Sequence, residues 1–217
     1  MTGDLFDDDT RAEPRTEALA PGALLLRDFA RPAAAGLLDA LPGLLTISPW
    51  RHLVTPGGQR MSVAMTNCGP LGWVSDRRGY RYVPLDPLSA APWPPLPAPF
   101  LALARAAAEA AGFANFTPDA CLINRYAPGT RLSLHQDRDE RDLHQPIVSV
   151  SLGLPAVFLF GGLSRSDKPR RIAVRHGDMV VWGGPSRLAF HGVMPVAEGV
   201  HDATGTCRIN LTFRRAA

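Results

Sequence analysis

Cysteine is scarce: Cys68, Cys121 and Cys207 are the three in 217 residues, with no C-x-x-C pair and no regular spacing. So few and so scattered, they exclude a disulfide framework and a zinc–thiolate site, and read as reduced thiols of a reducing compartment. Long apolar runs are missing too, since none approaches the roughly 18 residues of a membrane span. The N-terminus, MTGDLFDDDT, is acidic where a secretory leader would be basic and then apolar. A cytoplasmic protein with no membrane partner is expected. There is no internal repeat, and no evident Ser/His/Asp or Cys/His constellation for nucleophilic catalysis.

What remains is an ordinary globular composition, 46% hydrophobic and 20% charged. The length suits one domain with extensions. Net charge is +3 overall, but residues 1–20 carry six acids and two arginines, leaving +7 on residues 21–217. That predicts an acidic mobile tail over 1–20 and a basic body that suits a polyanion such as nucleic acid. Monomer is the default expectation.

The spacing predicts a short strand over 22–29, a helix after Pro32 and a stronger helix over 100–112, between Pro99 and Gly112. Residues 50–97 differ in character: they hold Trp73, Tyr80, Tyr82, Trp93 and the Pro-rich PWPPLPAP, with strand-like alternation over 60–66. They read as an inserted hairpin layer on a stiff connector. From Ala120 onward come short strands broken by Gly, Pro and Asp: 120–127, 131–136, 147–154, 156–160, 171–175, 178–183, 187–191 and 206–214. The fold class is therefore mainly β with flanking helices, a sandwich, jelly roll or barrel.

Side chains two apart in a strand share a face. On 206–214 this groups Arg208, Asn210, Thr212 and Arg214 against Ile209, Leu211 and Phe213. On 131–137 it groups Arg131, Ser133, His135 and Asp137, and on 122–126 it groups Asn124 with Tyr126. One polar face alone would be a solvated surface strand. Three, each rich in metal- or carboxylate-binding groups, predict a polar cavity inside the β shell.

His135 and Asp137 converge, with Cα atoms about 6.6 Å apart at strand rise. A histidine from another strand would complete the two-imidazole, one-carboxylate triad that holds non-haem Fe(II) with positions open. His52, His144, His176, His191 and His201 are available. His191, at the end of the strand-like RLAFH, gains its candidacy from the arginine strand that follows. The second H-x-D, His176-Gly177-Asp178, reads as a hairpin turn through its glycine. Arg208 and Arg214, six strand steps or about 20 Å apart, leave between their inward-leaning side chains a gap that fits a short dicarboxylate gripped at both ends.

These residues lie in longer blocks: VTPGGxxMSVAMTNCGxLGW (54–73), PDACLINRYAPG (118–129), LSLHQDxDE (132–140), PIVSVSLGLPAVFxFGG (146–162), HGDxVVWGGxSRLxxHG (176–192) and CRxNLTFR (207–214). From Gly22 to Arg215 the chain resembles the AlkB family of Fe(II)/2-oxoglutarate-dependent nucleic-acid demethylases. The resemblance implies a double-stranded β-helix (jelly roll) with a nucleotide-recognition layer over 50–97. It implies His135, Asp137 and His191 as iron ligands and Asn124, Tyr126, Arg208, Asn210 and Arg214 as the 2-oxoglutarate site. Trp73 and His135 would sandwich an extruded methylated base, with Asp139 reading its exocyclic amino group. Tyr80, Arg81, Tyr82 and Arg165 would contact base or phosphates, and Met61, Ser62 and Met65 would belong to the recognition layer. The chain departs from the family pattern at Arg131 and Arg138, where lysine is expected, and at Val74-Ser75-Asp76.

The activity so implied is O2- and 2-oxoglutarate-dependent demethylation of 1-methyladenine and 3-methylcytosine, releasing formaldehyde. The partner is single-stranded or flipped-base DNA, with RNA as a further candidate, because a stacked base cannot reach a buried metal. Two other readings share these residues: a 2-oxoglutarate-dependent hydroxylase of a protein or small molecule, and a nucleic-acid-binding module without catalysis.

Overall fold

A computed structural model of the protein describes residues 15–217. The acidic tail expected over 1–20 lies outside the described residues as far as position 14. Its last part is not tail, because Thr16–Ala20 forms strand β1, antiparallel to β2 (Ala23–Leu26). Gly22 makes the turn between them at φ +73°, and a Cβ there would meet the Gly183 carbonyl oxygen at 2.5 Å. Only glycine meets both demands.

After β2 come two short helices, α1 (Ala34–Asp39) and α2 (Leu41–Ile47). Strands β3 (Ala64–Cys68), β4 (Gly72–Asp76) and β5 (Gly79–Val83) follow, then helix α3 (Ala98–Ala110). Helix α3 begins before its expected start, with Pro99 inside the first turn, where a missing N–H costs nothing. The C-terminal half supplies β6 (Ala120–Tyr126), β7 (Leu132–His135), β8 (Ile147–Gly153), β9 (Ala156–Phe160), β10 (Arg170–Val174), β11 (Met179–Trp182), β12 (His191–Val193) and β13 (Arg208–Arg214).

The strands form a seven-stranded sheet, β1-β2-β11-β8-β13-β6-β3, and a four-stranded sheet, β10-β9-β12-β7. From β6 to β13 the chain crosses from one sheet to the other at every step except the β9–β10 hairpin. This winding is a double-stranded β-helix, the jelly roll expected. Of the region 50–97, β3 joins the large sheet at its edge, and β4–β5 stands as a separate two-stranded hairpin.

Strand parity decides what faces what. Cys121, Ile123, Val148, Val150, Ile209, Leu211 and Phe213 pack with Leu37, Leu41, Phe100 and Ala104 of the helices in one apolar cluster. The opposite parity of the same strands (Leu122, Tyr126, Ile147, Val180 and Trp182) packs with Phe158 and Ile172 of the small sheet in a second cluster. Helices therefore seal the outer face of the large sheet, and its inner face looks at the small sheet. Every residue of β13 is buried, so its polar face points between the sheets rather than into water. The prediction of a polar interior follows from that burial.

One predicted strand is absent. Residues 184–186 form a 3-10 turn between the expected strands 178–183 and 187–191, residues 187–190 continue without strand pairing, and the chain enters the small sheet only at His191. The apolar pattern of RLAF reflects burial of Ala189 and a turn closed by Ala189 N–H on the Ser186 carbonyl at 2.9 Å, not strand pairing.

Candidate active site

Register brings the two histidines together. His191 of β12 pairs directly with His135 of β7, and their ring centroids lie 4.3 Å apart. Asp137, just past the end of β7, turns its carboxylate between them. His135 Nε2 stands 3.6 Å from one carboxylate oxygen, and His191 Nε2 stands 3.7 Å from the other. One potential ligand atom from each residue lies within 4.8 Å of the others, and this is the only such cluster among the described residues.

The tautomers suit a metal. His135 Nδ1 lies 2.9 Å from the Ser133 carbonyl, and His191 Nδ1 lies 3.0 Å from that of Ala189. A carbonyl only accepts, so each Nδ1 carries the proton and each Nε2 lone pair faces the cluster. Burial, with neighbouring His135 as the next cause, pushes the His191 pKa down to about 3, so it is neutral at pH 7. Burial works against the Asp137 charge, but the Arg214 guanidinium beside it outweighs that and holds this carboxyl well below the usual range. Two imidazoles with Nε2 turned inward and an ionised carboxylate are the donor set that Fe(II) takes.

The triad opens on a cavity of about 760 Å³ that also includes Asn124, Tyr126, Ser149, Arg208, Asn210, Thr212 and Arg214 in its walls. The β13–β6 register sets Arg208 opposite Tyr126 and Asn210 opposite Asn124, so the expected cosubstrate residues form one patch. Arg208 is 2% exposed, with its guanidinium 5.0 Å above the Tyr126 ring and one nitrogen donating to Ser151 Oγ at 3.0 Å. Its Nε and Nη1, together with Asn124 Oδ1, have no partner. No carboxylate pairs with Arg208 among the described residues. A buried unpaired cation is costly and calls for an anion.

Arg214, expected as the second jaw of a dicarboxylate clamp, lies in the cavity wall and is engaged with Asp137. Its Nη2 and Nε lie 2.6 and 2.7 Å from Asp137 Oδ2. Burial would lower its pKa, but the carboxylates beside it raise it above the ordinary arginine value. The guanidinium left free for an incoming carboxylate is therefore Arg208. Asn210 is likewise engaged, donating to Ser149 Oγ at 2.8 Å and to the Val150 carbonyl at 2.7 Å.

At the cavity mouth, Trp73 stacks on Tyr80 with ring centroids 5.5 Å apart and donates its indole N–H to Asp139 at 2.9 Å. Met61, Ser62, Met65, Asp139 and Arg165 also line the cavity, as do Arg60, Arg131 and Arg138. Arg165 crosses to β7, donating to the Leu134 carbonyl at 2.9 Å. Two expected contacts are not in the wall. Arg81 turns back along its own hairpin to Asp76 at 2.7 Å, and Tyr82 points beneath it to donate to Glu140 at 2.6 Å. Parity explains Arg81, which faces away from its neighbours; Tyr82 shares the face of Tyr80 but stands two residues further along the strand, and only Tyr80 reaches the mouth.

Sequence reasoning missed Glu140 and Arg187. Both are buried and paired at 3.0 Å, and Arg187 also donates to the Asp137 carbonyl at 2.7 Å. Each stands inside a quoted block, in LSLHQDxDE and SRL, and a charge within an otherwise buried run was the available signal.

Comparison with known proteins agrees with this geometry. Residues 22–214 match the model of the 2OG-Fe(II) oxygenase superfamily. The chain is 61% identical to the alpha-ketoglutarate-dependent dioxygenase AlkB of Salmonella typhimurium, over 99% of this chain and 98% of that protein. It is 58% identical to AlkB of Escherichia coli, over 98% and 97% respectively. The solved structure of OsALKBH1 superposes with a TM-score of 0.82 at 30% identity, covering 93% of this chain and all of that one.

Proposed function

The chain belongs to the AlkB family of 2OG-Fe(II) oxygenases, and we propose on that premise that it removes alkyl groups oxidatively from nucleobases in DNA. It is an Fe(II)- and 2-oxoglutarate-dependent dioxygenase. The observation that carries the reading is the meeting, in one cavity, of a His135–Asp137–His191 donor set with a buried Arg208 guanidinium whose Nε and Nη1 have no partner.

The side chains fit both groups. His135, Asp137 and His191 would hold the iron. Arg208 and Tyr126 would take the far carboxylate of 2-oxoglutarate, and the free Asn124 Oδ1 and engaged Asn210 would border its body. When bound, iron and 2-oxoglutarate supply the O2-driven oxidation that puts a hydroxyl on the N-alkyl carbon, with succinate and CO2 as co-products. The C–N bond of the N-hydroxymethyl group then breaks: formaldehyde leaves, the hydroxyl proton is released and the ring nitrogen recovers its lone pair.

The protein's part is to bind and orient. Trp73 and His135 sandwich the flipped base, and stacking of this kind contributes about 1–3 kcal/mol per base. The Asp139 carboxylate accepts from an exocyclic amino group, which favours 1-methyladenine and 3-methylcytosine, both of which carry one. Arg60, Arg131, Arg138 and Arg165 at the rim give the mouth a positive charge that suits the phosphates of a single strand or a strand around a flipped base.

The test is turnover of oligonucleotides carrying 1-methyladenine or 3-methylcytosine, with formaldehyde and succinate measured together. Equimolar release that disappears in Asp137→Ala is the expected result. Undiminished turnover in that variant would remove the metal assignment. Binding of methylated single strands that did not weaken with salt would favour a protein or small-molecule substrate instead.

A further inference from the structure

The β4–β5 hairpin is fastened to the metal-bearing loop at two points of different character. Trp73 and Tyr82 are cross-strand partners in the hairpin. Trp73 donates to Asp139 at 2.9 Å and Tyr82 to Glu140 at 2.6 Å. One cross-strand pair thus lands on consecutive carboxylates just after Asp137. Asp139 is exposed, so the indole bond at the mouth can exchange with water or an entering base. Glu140 is 6% exposed, and burial keeps the Tyr82 hydroxyl protonated as its donor.

Glu140 leads inward to the triad. Its Oε2 takes Arg187 at 3.0 Å, and its Oε1, which accepts from Tyr82, also faces Arg214 Nε at 3.4 Å. Arg214 in turn holds Asp137 Oδ2 at 2.6 Å, leaving Oδ1 beside His135 Nε2. Asp137, Glu140, Arg187 and Arg214 balance in charge without the tyrosine, so its hydroxyl is not needed for neutrality. What it does is occupy Glu140 Oε1. Arg214 stands between two carboxylates of equal charge, and its closeness to Asp137 depends on how free the other one is. Without the tyrosine hydroxyl, Oε1 would draw Arg214 away from Asp137.

We propose that Tyr82 is a positioning residue for the metal centre: by occupying Glu140 it keeps Arg214 on Asp137 Oδ2, so seating of the hairpin sets how Asp137 presents itself to iron. Tyr82 serves the triad rather than the base. The proposal rests on the dioxygenase reading above.

Tyr82→Phe keeps the ring and deletes one oxygen. The measurement is anaerobic Fe(II) titration at saturating 2-oxoglutarate, read by the weak visible charge-transfer band. Binding of a labelled methylated oligonucleotide to metal-free protein is measured alongside. The half-saturating Fe(II) concentration should rise about threefold to tenfold, less than the roughly 10–100-fold seen when a partner bonded directly to a ligand is removed. Oligonucleotide affinity should stay unchanged. Trp73→Phe, which cuts the other fastening, should leave the Fe(II) titration as it was. An unchanged titration in Tyr82→Phe overturns the proposal, whether it comes with weaker oligonucleotide binding (a substrate contact) or only a lower melting temperature (a structural role). An equal rise in Trp73→Phe overturns it too, since any loosening of the hairpin would then suffice. No band in the unsubstituted protein would sink the dioxygenase reading itself, a failure separable from these.

Discussion

His191 lies squarely across from His135 in the β12–β7 pairing, and the residue that permits this is their neighbour Gly192. A Cβ on Gly192 would meet the Leu132 carbonyl oxygen at 2.7 Å and Leu134 N at 3.2 Å, both backbone atoms that cannot swing aside. The two strands approach closely enough for both imidazoles to reach one carboxylate only because no side chain stands there.

Gly192→Ala should therefore push β12 from β7 and separate the ligands. The expected cost is about 1–3 kcal/mol of stability, as for other overpacked sites, with a larger proportional loss of Fe(II) affinity. Denaturant unfolding and anaerobic metal titration on the same preparation check both.

Arg208→Met should have opposite effects on stability and binding. Removing an unpaired buried cation leaves the metal-free, ligand-free protein as stable as before or more so. The half-saturating 2-oxoglutarate concentration should rise by about tenfold or more, the equivalent of one charged hydrogen bond lost. A melting curve and a 2-oxoglutarate titration read the two effects. A large drop in stability with unchanged 2-oxoglutarate affinity would mean that Arg208 is a structural residue.

Trp73→Ala should weaken binding of methylated single strands by about 1–3 kcal/mol, the value of one aromatic stacking platform. The charge-transfer band at saturating Fe(II) and 2-oxoglutarate should be unaffected, because the indole touches Tyr80 and Asp139 and not the triad.

Acid should destabilise the metal-free protein in two stages. His191 falls from 6.5 to about 3 on folding. Between those values the unfolded chain binds a proton that the folded one does not, so stability declines as pH drops from about 6.5 toward 3. The depressed Asp137 adds its own loss only below its ordinary value of 3.8. Chelator-treated protein unfolded by urea from pH 7.5 to 4.5 should show the first stage, and a His191→Asn variant should show a flatter slope.

The metal pair was legible because a strand has a period of two: His135 and Asp137 could be placed on one side from spacing alone, as could Arg208, Asn210, Thr212 and Arg214. Strand existence was legible for the same reason, since β6, β8, β9 and β13 follow alternation and turn residues that are local in sequence. Where local pattern had two meanings it failed. RLAF before His191 reads as a strand yet forms a turn, because burial produces the same apolar letters whether or not a partner strand is present. Residues 16–20 looked like tail because nothing nearby pairs with them except a strand across a two-residue turn.

The order of residues along the chain determined which chemistry this protein carries: imidazole, carboxylate and guanidinium at strand spacing, within blocks long enough to mark a family. Only the folded arrangement decided how those groups divide their work. It set His191 rather than another histidine beside His135, placed Arg214 on Asp137 and left Arg208 free, and turned Tyr82 from the mouth toward Glu140. Spacing within a strand is covalent geometry and can be read from the chain. Partnership between strands depends on register and on competition for buried charge, and these exist only once distant segments have met.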